Sequence, residues 1–100
     1  MTIINAGKVA DMPPNTITKL KEADISIVNV NGEFYAITDT CTHAGASMAN
    51  GKLDGEDIVC GWHGAAFNCK SGKLEKFPAK IEDLKSYKVT IENGDVLVEV

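Results

Sequence analysis

In "CTHAGASMANGKLDGEDIVCGWHGAAF", residues 41–67, each of two short segments carries a cysteine followed closely by a histidine: Cys41-x-His43 and Cys60-x-x-His63. A lone cysteine or histidine is most simply read as a buried or incidental residue. Here both histidines of the chain sit two or three residues after a cysteine, which chance placement explains poorly. In C-x-H and C-x-x-H the two side chains of each pair can converge on one ion from a tight loop, and Gly45, Gly61 and Gly64 let backbone pass close to it.

The donor set is two thiolates and two imidazoles. One zinc ion could use it, but zinc fingers pair cysteine with cysteine and histidine with histidine, and mixed pairs fit that pattern badly. A binuclear iron-sulfur cluster is the other solution, one iron taking both cysteines and the other both histidines. Each segment then contributes one ligand to each iron.

Outward from this stretch, strand signals dominate. "DISIVNV" (24–30) and "EFYAIT" (33–38) are rich in β-branched and aromatic residues and flank Asn31-Gly32, a pair suited to the positive φ of a tight hairpin turn. The C-terminal part repeats the device: "SYKVTIE" (86–92), Asn93-Gly94, then "DVLVEV" (95–100), with Tyr87, Val89, Ile91 and Val96, Val98, Val100 alternating toward one buried face per strand. Shorter strands are expected at 2–5, 15–21, 57–60 and 65–68. Residues 40–54, glycine-rich and carrying the first pair, read as a loop, a common location for function on a β scaffold. "AKIEDLKSY" (79–87) is compatible with a turn of helix or, after Pro78, with an irregular loop. So many short strands make an all-β fold, a small antiparallel β-sandwich or barrel.

One hundred residues hold one hydrophobic core, so a single domain over residues 1–100 is expected, with no separate catalytic domain. At 44% hydrophobic and 24% charged the chain is an ordinary globular one. Net charge is −4 and all ten basic residues are lysine. Without arginine forks or a basic surface, nucleic acid is not an expected partner. "MTIINAGKVADMPPN" has neither a basic leader nor an apolar run long enough to span a membrane, so no membrane association and a cytoplasmic location are expected. Three cysteines, two of them in the paired segments, do not suit a disulfide framework. Cys69 is left over and reads as a buried structural thiol.

C-x-H, sixteen intervening residues, C-x-x-H resembles the ligand signature of the Rieske [2Fe-2S] family. The likeness covers "THAGAS", "LDG" and "WHGA-F", and reaches "FPA" at 77–79, where the family has a third loop beside its cluster. It spans residues 35–82. Gly61 and Met48 depart from the pattern, standing where such ferredoxins usually have proline and leucine. The resemblance implies the family's fold, with cluster-binding loops at one end over about 40–80, and one [2Fe-2S] cluster per chain. Cys41 and Cys60 would hold the inner iron, His43 and His63 the outer one. Trp62, Phe67, Phe77 and Pro78 are read as packing or shielding residues around the loops.

Two ferric ions, two sulfides, two thiolates and neutral histidines sum to zero charge, whereas four thiolates would leave minus two, so imidazole ligation raises the potential into the range of about −150 to +300 mV. High-potential respiratory relatives carry a serine and a tyrosine two and four residues after the second histidine; here those positions are Ala65 and Phe67. Their loop-bracing disulfide would fall on Ala46 and Trp62, which cannot form it. The resemblance is therefore to the low-potential ferredoxins, and a value of about −150 to 0 mV is expected. With no glycine-rich nucleotide loop, the chain needs a donor for its electrons.

That kinship implies a monomeric one-electron carrier rather than an enzyme, meeting transiently a flavin-dependent NAD(P)H reductase as donor and a terminal oxygenase of dioxygenase type as acceptor. The alternatives are a small Rieske subunit of a stable redox complex, such as a nitrite-reductase-like enzyme, and a zinc-stabilised binding module.

Overall fold

A computed structural model describes residues 2–20, 23–40, 47–60, 65–76 and 83–100. Among the described residues, ten strands form two antiparallel sheets. The larger has the order β1-β10-β9-β4-β3-β2, from β1 (Ile3–Lys8), β2 (Thr16–Lys19), β3 (Ile25–Val30), β4 (Glu33–Thr38), β9 (Ser86–Glu92) and β10 (Asp95–Glu99). The smaller runs β5-β6-β7-β8, from β5 (Lys52–Asp54), β6 (Asp57–Val59), β7 (Ala66–Asn68) and β8 (Leu74–Lys76).

Both Asn-Gly hairpins form where the sequence puts them. Asn31 and Gly32 have φ 53° and 95°, Asn93 and Gly94 have 52° and 79°. Positive φ at both central residues gives the two-residue turn whose twist matches the flanking strands. Val30 then faces Glu33, and Glu92 faces Asp95.

Every residue of β3 is buried, because this strand lies between two cores. Ile25 and Ile27 pack with Met12, Leu20, Ala36, Val96 and Val98. Strands three places apart in the sheet order can share that cluster only because the sheet curls. Val28 and Val30 point the other way and join Ile37, Met48, Ile58, Cys60, Ala65, Phe67, Cys69 and Leu84 between the sheets. The buried polar Asn29 is satisfied locally, its Nδ2 donating to the Met12 carbonyl (2.7 Å) and its Oδ1 accepting from the Gly32 N–H (2.7 Å).

Three expectations need correction. Residues 40–54 are not all loop: a 3-10 turn covers Met48–Asn50 and β5 covers Lys52–Asp54. Gly51 makes this possible, since a Cβ there would lie 1.9 Å from the Val59 carbonyl oxygen; only glycine lets the two backbones approach so closely. β8 was not foreseen. Alternation along 86–100 buries Val96 and Val98, but Ile91, paired with Val96, and Val100, one residue past β10, are 46% and 42% exposed. Of the stretch 79–87, residues 79–82 lie outside the described residues, Asp83 to Lys85 are neither helix nor strand, and Ser86 and Tyr87 open β9.

Candidate metal centre

Of the four expected ligands, Cys60 is described. Cys41, His43 and His63 fall in 41–46 and 61–64, outside the described residues, as do Ala46, Gly61, Trp62, Phe77 and Pro78. The roots of those segments lie among the described residues.

Thr40 bridges Ser47 across the first segment. The Cys60 N–H donates to the Ala65 carbonyl (2.8 Å), closing the second at its stem. The third, 77–82, leaves β8 at Lys76, which pairs with Ala66, and returns at Lys85, whose carbonyl accepts from the Thr38 N–H (2.9 Å). Its stem is held by the Leu74 N–H donating to Asp83 Oδ1 (2.8 Å) and the Leu84 N–H to the Gly72 carbonyl (2.7 Å).

These contacts close a ring. The exit of the first segment runs through Gly51 and Lys52 onto Val59, the residue before Cys60. The exit of the second abuts the start of the third through Ala66 and Lys76, and the end of the third abuts the entry to the first through Lys85 and Thr38. Six chain ends are thus linked in turn by backbone contacts, so the segments carrying Cys41/His43 and Cys60/His63, far apart in sequence, start from neighbouring roots.

The surroundings of Cys60 suit a metal thiolate. The residue is 2% exposed and packs in the intersheet core with Met48, Ala65 and Phe67, all at 0%. A thiolate in so apolar a place requires a compensating positive partner. Two ferric ions would supply it, and two cysteines with two histidines are the donor set of a Rieske cluster. Ala65 and Phe67 present no hydroxyl at this stem.

Cys69 stands apart. Its N–H donates to the Glu56 carbonyl at the far end of the β6–β7 hairpin, about 13 Å from Cys60 along the strands at about 3.3 Å per residue. Burial, reinforced by the nearby Asp57 and Glu56 carboxylates, pushes its thiol up to about 12. It stays a protonated, fully buried packing residue.

Sequence reasoning missed the polar base of the first segment. Asp39, 2% exposed, accepts hydrogen bonds from Ser26, Ser47 and the Ala49 N–H. The readable signal was an acidic residue following the strand "EFYAIT", two positions before Cys41.

With this geometry in hand, a family model for the Rieske [2Fe-2S] domain matches residues 2–88. The chain belongs to the Rieske [2Fe-2S] family. Over 102 aligned residues this Rieske protein is 39% identical to the 3-phenylpropionate/cinnamic acid dioxygenase ferredoxin subunit of Escherichia coli (strain K12), covering 100% of the chain and 95% of the relative. Its fold superposes on the Sphingomonas yanoikuyae B1 ferredoxin with a TM-score of 0.89 at 29% identity, covering 99% of each chain. It also superposes on a chain from the complex of reduced oxygenase and oxidized ferredoxin in carbazole 1,9a-dioxygenase, with a TM-score of 0.85, 35% identity, and coverage of 96% of this chain and 91% of that one. The all-β expectation and the kinship with oxygenase-system ferredoxins are both borne out. Among the described residues, no helix is long and apolar enough to cross a membrane.

Proposed function

We propose that this protein is a cytoplasmic one-electron carrier that binds one [2Fe-2S] cluster through Cys41, His43, Cys60 and His63. It takes electrons from a flavin-dependent NAD(P)H reductase and delivers them to the terminal oxygenase of a ring-hydroxylating dioxygenase system, meeting both transiently as a monomer of one domain, residues 1–100. The observation that carries this reading is end-to-end similarity to a dioxygenase ferredoxin subunit.

Once bound, the cluster supplies reversible uptake of a single electron. The chain's own residues do the rest. Cys41 and Cys60 would provide the thiolates, and Met48, Ala65 and Phe67 pack with Cys60 and exclude water from its side chain. His43 and His63, as the outer pair, offer the short exit toward a partner. Redox encounters of this kind bury little surface. Cys60 N–H donation to the Ala65 carbonyl fixes the stem from which His63 is presented.

The test combines composition with turnover. Purified protein should hold iron and acid-labile sulfide in equal amounts, and should restore product formation by a ring-hydroxylating oxygenase supplied with reductase and NAD(P)H. One zinc per chain with no sulfide would contradict the reading, as would turnover unaffected by the protein.

A further inference from the structure

Asp39 is a carboxylate buried in the interior at the base of the first Cys/His segment. Its Oδ1 accepts hydrogen bonds from Ser26 Oγ (2.5 Å), Ser47 Oγ (2.9 Å) and the Ala49 N–H (3.1 Å), and Ser47 Oγ also lies 2.7 Å from Oδ2. Its main chain is engaged on both sides: the N–H donates to the Asp24 carbonyl (3.0 Å), and the carbonyl accepts from the Met48 N–H (2.6 Å). Asp24 completes the arrangement, its Oδ1 accepting from both the N–H (3.0 Å) and the Oγ1 (2.8 Å) of Thr40.

A buried carboxylate is expensive unless several donors surround it, and an apolar side chain would fill the same space without that cost. The fold alone therefore gives no reason for it. What the carboxylate does, and an apolar residue would not, is tie its own strand end to two other pieces of chain: β3 at Ser26, and the exit of the first segment at Ser47 with the 3-10 turn it caps at Ala49. Asp24 meanwhile holds the entry at Thr40. Entry and exit of residues 41–46 are thus tied to β3 at Ser26 and to Asp24, the residue just before that strand.

We propose that Asp39 is the positioning residue of the first ligand segment, setting through its hydrogen bonds to Ser26, Ser47 and Ala49 where Cys41 and His43 stand relative to Cys60 and His63. This rests on the reading of those four residues as cluster ligands. Asparagine can keep the Oδ1 acceptor for Ser26 and Ala49 and offer its amide to Ser47 Oγ, whereas alanine removes every contact.

The test uses holoprotein of the wild type, Asp39→Asn, Asp39→Ala and Ser47→Ala, and reads the g-tensor of the dithionite-reduced cluster, which general destabilisation does not move in folded holoprotein, together with the rate of iron release to a chelator. Ser47→Ala should release iron roughly 2- to 10-fold faster, the range expected for one lost hydrogen bond. Asp39→Ala should be faster still, with an altered g-tensor, and Asp39→Asn should stay close to wild type. The proposal is overturned if folded Asp39→Ala keeps the wild-type g-tensor and release rate, or if Asp39→Asn is as labile as Asp39→Ala. Should Asp39→Ala fail to fold, a wild-type release rate in Ser47→Ala overturns it. A wild type without the cluster refutes the ligand reading instead, so the two failures are distinguishable.

Discussion

The two sheets are built on different principles. Strands of the large sheet run four to seven residues, their turns are specified by adjacent Asn-Gly pairs, and their inner face is covered by aliphatic side chains and Met12. Every strand of the small sheet has three residues, and its outer strands contribute one leucine each, Leu53 and Leu74, both only partly buried. It is held instead by distant contacts: Gly51 against Val59, Asp83 to Leu74, and burial of Ile58 and Phe67 against β3 and β4. The difference teaches that the large sheet is a self-sufficient support, whereas the small one is a carrier for the loop roots, its order coupled to whatever the loops bind.

The largest effect expected from this contrast is at the ligand set. Cys60→Ser should abolish the cluster's visible absorbance while the circular dichroism of the β fold persists; retention of both would remove Cys60 from the ligands. Stripping the metal should divide the sheets, with amides of β5–β8 losing protection in hydrogen exchange while those of β3, β4 and β10 keep theirs. Uniform loss across both would mean they are one cooperative unit.

Next comes packing. Phe67→Ala, at the centre of the shared core, should cost about 3–5 kcal/mol in denaturant unfolding, against about 0.5–1.5 kcal/mol for Ile27→Val in the large sheet's own core. A smaller cost for Phe67→Ala than for Ile27→Val would invert the account. Ala65→Ser would place a hydroxyl beside the Cys60 stem, and film voltammetry should find the potential raised, since a donor to sulfur favours the reduced form. An unchanged value would mean the hydroxyl at this position is not aimed at the cluster.

Smallest is the surface pair of the large sheet, Lys8 Nζ to Asp95 Oδ1 at 2.6 Å. The hydrogen bond from Lys8 holds the Asp95 carboxyl below its ordinary value of 3.8. A depressed carboxyl contributes stability above its unfolded pKa and loses it as pH falls through the folded one. Asp95→Asn should therefore lower the melting temperature slightly at pH 7, with the gap from wild type closing on acidification and shrinking in salt. A gap that widened in acid would reverse the sign.

What could be read from the sequence follows the same division. The large sheet was legible because period-two alternation and Asn-Gly turns are local signals. β5 and β8 were not, since "KLD" and "LEK" hold one apolar residue each and become strands only by pairing with β6 and β7. The donor set was read as a pattern of four residues, all of which fall inside the stretch that the family model matches. Asp39 escaped because its importance lies in Ser26, thirteen residues earlier in the chain, which shares with Val28 and Val30 the face of β3 that looks toward the small sheet. Long-range polar contacts leave no periodic trace.

The central claim is that the ring of loop roots supports mixed histidine and cysteine ligation of two irons. Electron paramagnetic resonance of the dithionite-reduced protein tests it most directly. The account predicts the g-tensor characteristic of a Rieske centre, lost in His43→Ala and in His63→Ala. A g-tensor of four-cysteine ligation, or a silent sample containing zinc, would contradict it.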